Sequence, residues 1–511
     1  MEDGIISAII DGIEVNVKNG TTILEAAKEV GIDIPTLCFL KDINEIGDCR
    51  ICLVEVQGAR GFVTACMQKV EQGMVIKTNT DQVNEARKNV LKLILSSHDK
   101  KCLSCIRHGN CELQKLALKF GITDIEFEGE LPTRVFDEKS VAVVRDTSKC
   151  VLCRRCVSTC KNIQEIGAID CVNRGYDSTI STFEHKSLDD VNCTFCGQCI
   201  QNCPTAGLHE KENIDEVYEK LKDEKYFVVV QTAPAVRVAL GEEFGMEIGT
   251  NVEGKMITAL KRLGFDKVFD TNTGADFTIM EETTEFINRV KNGKDLPIIT
   301  SCCPAWVRFM EMEYPEMIKY LSTCKSPHEM FGAILKTYYA NKIGINPEKI
   351  YVVSVMPCVA KKFERQRPEM KNNDLYNVDA VITTRELAKM IRQANIDFKI
   401  AVANGLGNAR KIIEEIKSGK VSYDFIEIMA CPGGCIMGGG QPIKTSKIRR
   451  EVDVRKLRAN AIYNIDEKKI MRKSHQNPIV KNIYNEYLKY PNSEISHELL
   501  HTKYSKREKY Q

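Results

Sequence analysis

The sequence predicts a multidomain chain, α+β toward its N-terminus and α/β behind, on three observations. Its 511 residues, 43% hydrophobic and 28% charged, suffice for several cores and three or more domains. Nineteen of the 22 cysteines, with one histidine, fall into five groups strung along the chain. From about residue 225, short β-like runs alternate with amphipathic helices, the pattern of parallel sheets.

Composition narrows the function classes. A formal charge of +2 gives no electrostatic reason to expect nucleic acid or an anionic membrane as partner. The opening MEDGIISAIIDGIEV lacks a basic stretch followed by an apolar run, and no later stretch reaches the roughly 18 apolar residues of a membrane span. A cytoplasmic protein is expected. A reducing cytosol keeps thiols free, so grouped cysteines should bind metal rather than form disulfides. Cys171 and Cys324 stand alone and read as structural cysteines.

Residues 1–80 begin with β-like runs (IISAIIDGIEVNV) and a helix, TTILEAAKEVG, capped by Thr21 or Thr22. Cys38, Cys49, Cys52 and Cys66 follow at C-x10-C-x2-C-x13-C. Four thiolates in a glycine-bearing loop suit a 2Fe-2S centre, with a longer first gap than the plant-type spacing. Residues 81–139 carry a helical stretch and then His98, Cys102, Cys105 and Cys111, spaced H-x3-C-x2-C-x5-C. One imidazole in place of a thiolate makes a cluster less negative and tends to raise its potential. His108, inside the same loop, is a competing ligand.

Residues 140–209 hold C-x2-C-x2-C-x3-C twice, at Cys150, Cys153, Cys156, Cys160 and at Cys193, Cys196, Cys199, Cys203. In this two-cluster ferredoxin pattern the fourth cysteine of each run serves the other cluster. One 4Fe-4S centre is therefore expected on Cys150, Cys153, Cys156 and Cys203, the other on Cys193, Cys196, Cys199 and Cys160. Crossed ligation also forces the two runs into one compact unit.

In residues 210–511 the remaining cysteines sit at the expected carboxyl ends of strands, where α/β folds gather their ligands. Cys303 follows LPIIT, Cys358 follows YVVSV and Cys431 follows FIEIM, with Cys435 four residues on. Gly433, Gly434 and Gly438 to Gly440 let backbone approach a bound group closely. Cys302 is not needed as a ligand if Cys303 is one, which leaves a free thiol beside the site. Glu282 and Glu285, at i and i+3 in TIMEETTEFINRV, share one helix face.

The segments TSCCPAW, MPCVAKKFE and MACPGGCIMGGGQP resemble the three signature sequences of iron-only (FeFe) hydrogenases. The similarity extends over nearly the whole chain, including the tail RKSHQNPIVKNIYNEYLKYP, and the front domain is similar to that of complex I's largest peripheral subunit. The resemblance implies a β-grasp 2Fe-2S domain and a two-lobed α/β domain holding an H-cluster. That cofactor is a 4Fe-4S cubane joined to a diiron unit carrying carbon monoxide, cyanide and an azadithiolate. It implies that Cys303, Cys358, Cys431 and Cys435 hold the cubane, with Cys435 bridging to the diiron unit. It further implies a proton relay from Cys302 through Glu282, Ser322 and Glu285, and a cyanide hydrogen bond from Lys361. Met356 and Met429 match residues packed on the diiron unit, and Ala233, Pro234 and Pro327 match its pocket.

The implied reaction is 2H+ + 2e- to H2, reversibly, fed by one 2Fe-2S and three accessory 4Fe-4S centres. The implied partners are ferredoxin or NAD(P)H-oxidising flavoprotein subunits, and the proteins that mature the H-cluster. This chain shows no Gly-rich nucleotide fingerprint of its own. It also departs from the family in one place: after TTRELAKMIRQANIDF it passes directly from Phe398 to Lys399, and only 72 residues separate Cys358 from Cys431. Dozens of family-typical residues are absent there, including a glycine-rich stretch over the diiron site. A hydrogen- or redox-sensing, or electron-relay, relative with impaired turnover is the alternative expectation.

Overall fold

A computed structural model describes residues 4–127, 134–394, 400–404, 406–421, 425–429, 453–467 and 486–487. The chain divides into two units, Met1–Ile396 and Asp397–Gln511.

The first unit opens with a hairpin, Ile5–Ile10 against Ile13–Lys18, whose register closes on Ile10 opposite Ile13. The two turn residues, Asp11 and Gly12, both have positive φ (48° and 84°), which suits the right-handed twist of the flanking strands. Thr22, one of the two expected caps, begins the helix Ile23–Glu29 with a capping box to Glu25. The hairpin is extended by Val75–Lys77, Leu53–Val56 and Val63–Thr64 into a five-stranded sheet. Alternate residues Ala8, Ile10, Val15 and Val17 point inward, and Cys52 and Cys66 belong to the same core.

The helices Asp81–Ser96 and Glu112–Lys119 do not make a core alone. Leu91, Leu113, Leu116 and Phe120 pack with Leu37 and Ile51 of the front cysteine loop, and Val151 covers the edge. Each such buried side chain contributes about 1.5–3 kcal/mol, so the cysteine groups are positioned by shared apolar packing. In the next segment, Val143–Asp146 pairs antiparallel with Leu208–Glu210, so the strands before the first ferredoxin run and after the second run close on each other.

Behind them stands a parallel sheet ordered Lys267–Asp270, Phe227–Thr232, Ile350–Met356, Ala380–Thr383. Every residue of Ile350–Met356 is buried, as expected of a central strand covered on both faces. LPIIT, expected as a strand, forms only one bridge, Ile299 to Leu321. Pro297 has no N–H for a ladder, and the segment runs as a loop into Cys303. In the second unit, Ile400–Asn404 lies parallel to Phe425–Met429 with the helix Leu406–Lys417 between them in sequence, and a further helix spans Val454–Glu467.

Candidate iron-sulfur relay and active site

In the front loop, the Sγ atoms of Cys52 and Cys66 lie 3.2 Å apart. The Cys38 amide donates to Cys49 Sγ at 3.3 Å, and the Cys49 amide to Cys38 Sγ at 3.5 Å. Crowding divides the protons unequally: the hydrogen bond from Cys38 pulls Cys49 down to about 6, and the same bond pushes Cys38 up. The four sulfurs therefore fit a shared metal centre, where bound iron would take the place of the protons.

His98 is buried, and its Nδ1 has no hydrogen-bond partner. Burial, with the Lys149 charge nearby, draws its pKa down to about 4, leaving the neutral ring that metals bind. A buried ring nitrogen without a partner is costly unless a ligand satisfies it. His108 is exposed, so the environment of His98 is the one that fits iron. Cys105 and Cys111 are half-buried and Cys102 is exposed.

The ferredoxin runs are brought together in the crossed arrangement. Cys150, Cys153, Cys156 and Cys203 line one pocket, while Cys160, Cys193, Cys196 and Cys199 line another. Burial pushes Cys150, Cys153 and Cys193 up to about 12 and raises Cys156 and Cys199 as well. Four buried or half-buried cysteines around an apolar space are a poor arrangement for protein alone and a good one for a cluster that ionises them.

Hydrogen bonds join these groups in an order. Asn44 Nδ2 donates to the carbonyls of Cys38 (2.7 Å) and Cys153 (3.0 Å), and Arg107 Nη2 donates to the carbonyl of Cys203 (2.6 Å). Both front groups thus meet the first ferredoxin cavity. The second faces the α/β part: Arg308 Nε donates to the Cys193 carbonyl at 2.8 Å, its guanidinium against the paired rings of Phe195 and Phe363. Gly197, at φ 72°, approaches Val359 so closely that an added Cβ would lie 3.0 Å from its Cγ2. Val359 adjoins Cys358.

Cys303 is the residue before the helix Pro304–Glu313, and Cys358 lies just beyond the strand Ile350–Met356. Burial raises the Cys358 thiol, Lys361 opposes the rise and the charge of Cys303 adds to it, so the two sulfurs sense each other. Met356 and Ala233 are buried at the carboxyl ends of adjacent strands, with the Ala233 amide donating to the Val355 carbonyl. Pro234 is exposed, and Pro327 is half-buried at the first turn of Pro327–Ile334. Met429 closes its strand, but its side chain, Cys431 and Cys435 lie outside the described residues.

Lys361 Nζ donates to the Cys302 carbonyl at 2.9 Å and to Glu364 at 2.8 Å. Glu364 also meets His328 Nε2 at 2.7 Å, and His328 Nδ1 lies 3.2 Å from Ser354 Oγ. Burial disfavours the Glu364 charge, but Lys361 and His328 hold the carboxyl at about 2. Sequence reasoning missed this buried chain, since nothing in the spacing of His328 and Glu364 marks them.

Of the expected relay, Ser322 Oγ donates to Glu285 at 3.0 Å. Arg289 Nη2 (2.6 Å) and the Thr323 amide (3.0 Å) bind the same carboxylate, holding it below the usual range despite partial burial. Arg289 lies at i+4 from Glu285, a signal the sequence contained. Glu282 is half-buried on the same helix, Asn272–Asn292. Among the described residues, no hydrogen bond joins it to the Cys302 thiol.

Known proteins match along this whole order. The 2Fe-2S iron-sulfur cluster binding domain matches residues 5–81, the NADH-ubiquinone oxidoreductase-G iron-sulfur binding region 87–126, and the 4Fe-4S dicluster domain 149–206. The C-terminal domain of the iron only hydrogenase large subunit matches residues 226–400 and 397–439, and the iron hydrogenase small subunit matches 452–507. Iron hydrogenase 1 of Clostridium pasteurianum is 40% identical, covering 98% of this chain and 99% of its own. An NADP-reducing hydrogenase subunit of Solidesulfovibrio fructosivorans is 42% identical over 99% of both chains. The chain belongs to the iron-only hydrogenases. Its reaction is the reversible joining of two protons and two electrons as H2.

A cytosolic Fe-S cluster assembly factor of Danio rerio covers only 61% of this hydrogenase chain, at 27% identity. A solved [FeFe]-hydrogenase of Chlamydomonas reinhardtii covers 57% of this chain and 99% of its own at 32% identity, with a TM-score of 0.35. The shortened segment is visible in the comparisons. The large-subunit match breaks into two pieces that meet at residues 397–400, where Phe398 joins Lys399. The 586 aligned positions of the Solidesulfovibrio relative, against 511 residues, leave at least 75 without a counterpart here.

Proposed function

We propose that this hydrogenase works as an NAD(P)-linked or ferredoxin-linked catalytic chain, with four domains at 1–80, 81–139, 140–209 and 210–511. The front ligands are Cys38, Cys49, Cys52 and Cys66 for a 2Fe-2S centre, and His98, Cys102, Cys105 and Cys111 for a 4Fe-4S centre. The two ferredoxin sets follow the crossed assignment. Cys303 and Cys358, with Cys431 and Cys435 assigned by sequence resemblance, hold the cubane of the H-cluster. The observation that carries the reading is the hydrogen bond from Arg308 to the Cys193 carbonyl, which ties the last relay group to the side of the protein that bears Cys358.

When bound, the diiron unit supplies an open iron and an amine base, the chemistry that splits or forms H2. The chain's own part is to hold, orient and deliver. Glu285 and Ser322, clamped by Arg289, carry protons between the surface and Glu282 and Cys302. By the sequence resemblance, Lys361 would donate a hydrogen bond to the cofactor's cyanide, and Met356, Met429, Ala233, Pro234 and Pro327 would be its pocket residues.

The Solidesulfovibrio relative is named for NADP reduction. This chain lacks a nucleotide fingerprint, so a separate flavoprotein subunit is the partner that supports such a link, with ferredoxin the alternative. H-cluster maturation proteins in a reducing cytoplasm complete the set. The test is the full chain, matured anaerobically. Infrared bands of iron-bound CO and CN-, with H2 evolved from reduced viologen, are expected. The residues missing at Phe398–Lys399 favour a second reading, a sensor or relay, and bands without turnover select it.

A further inference from the structure

One buried cation sits where three cysteine groups meet. Arg155 lies between Cys153 and Cys156, and its side chain is 7% exposed. Its Nε donates to the Cys38 carbonyl at 3.3 Å and its Nη2 to the Phe39 carbonyl at 3.2 Å. Both Nη atoms fork onto Glu112, at 2.8 and 2.9 Å, and Glu112 adjoins Cys111. Asn44, 1% exposed, completes the junction: it donates to the Cys38 and Cys153 carbonyls and accepts from Ser158 Oγ at 2.6 Å.

We propose that Arg155 sets the reduction potentials at the front of the relay, making the centres ligated by Cys38 and by Cys153 and Cys156 easier to reduce. The inference rests on the ligand assignment above. Each transfer moves one electron from the reduced 2Fe-2S centre to the oxidised 4Fe-4S centre, with no bond broken and no proton released. Either centre gains one negative charge on reduction, and a guanidinium held in a poorly screened interior stabilises that charge. Arg155 cannot lose its own charge. Its field reaches the sulfurs of Cys38 and Cys153.

Glu112 opposes this effect incompletely, because its side chain is 45% exposed and solvent screens it while Arg155 stays covered. The pair therefore makes a signed prediction that a purely structural clasp does not. Removing the carboxylate charge makes reduction easier; removing the guanidinium charge makes it harder.

The test is an EPR-monitored redox titration with dithionite of the full chain, reconstituted anaerobically, with Glu112→Gln, Arg155→Met and Arg155→Lys. Glu112→Gln, at a half-exposed position, keeps the fold. It is expected to favour the reduced forms of the Cys38 and Cys153 centres by about tenfold, which is 59 mV for a one-electron couple. Arg155→Met shifts both centres the opposite way, Arg155→Lys recovers most of the loss, and the centre on Cys193 shifts less. Unchanged potentials in Glu112→Gln, or shifts of the same sign in Glu112→Gln and Arg155→Met, overturn the proposal. A wild-type chain without separate 2Fe-2S and 4Fe-4S signals overturns the ligand assignment itself.

Discussion

The Lys361 ammonium lies 2.8 Å from the Glu364 carboxylate, both nearly closed to solvent, three residues beyond Cys358. A buried pair of this kind matters most through what happens when one partner goes, since the other is left charged in a poorly solvated interior. Here the second bond of Lys361, to the Cys302 carbonyl, links that pair to the signature loop TSCC.

Glu364→Gln is accordingly expected to cost about 3–5 kcal/mol of stability and to release Lys361 from its fixed direction. Denaturant unfolding under anaerobic conditions reads the first effect. The CN- infrared bands of the matured chain read the second. Unshifted bands would mean that Glu364 does not orient Lys361 toward the cofactor.

Glu329 gives a pH dependence with a definite sign. Burial pushes this carboxyl up to about 8, with Oε1 unpartnered and Asn377 donating to Oε2 at 3.2 Å. Because the folded-state value lies above the unfolded one, the native protein binds the extra proton across the interval between them. The contribution of Glu329 is fully present below the ordinary carboxylate range and is lost as pH rises through about 8. Glu329→Gln should flatten the fall in stability over that window, and a fall of equal slope in the variant would exclude this group as its source.

The Ser322–Glu285 hydrogen bond predicts a rate defect without a cofactor defect. Glu285→Gln and Ser322→Ala should each slow H2 evolution by about 10²–10⁴-fold, the usual worth of a positioned proton-transfer group. Iron content and infrared bands should remain as in the parent chain. A loss of bands would show that the substitutions disturb the pocket rather than the relay.

Crossed ligation is tested by one cysteine from each ferredoxin run. Cys203→Ala should remove the centre on Cys150, Cys153 and Cys156, while Cys160→Ala should remove the one on Cys193, Cys196 and Cys199, each with a loss of about four iron atoms. EPR of the two variants distinguishes the centres. If Cys160→Ala instead abolished the centre on its own run, the pairing would be local.

The sequence carried the family, the run of cysteine groups along the chain, two ferredoxin runs whose cysteines line shared pockets, and a threonine cap at residue 21 or 22 that the fold places at Thr22. Many of the cysteines recur at spacings of a few residues, and sheet or helix patterns repeat at a fixed period, so both survive as linear signals. The preference for His98 over His108 came only from burial, which the sequence does not show. Ser322 was assigned by resemblance, but its bond to Glu285 spans 37 residues and appears only in the fold. Arg155, Asn44 and Arg308 left no trace in spacing, and neither did the bond from Glu364 to His328, 36 residues apart. The partners of Arg155, Asn44 and Arg308 lie in distant stretches of the chain, up to 117 residues away for Arg155 and Cys38. A side chain's charge or amide acquires its role from whatever packing places against it, and that placement is a property of the tertiary structure alone.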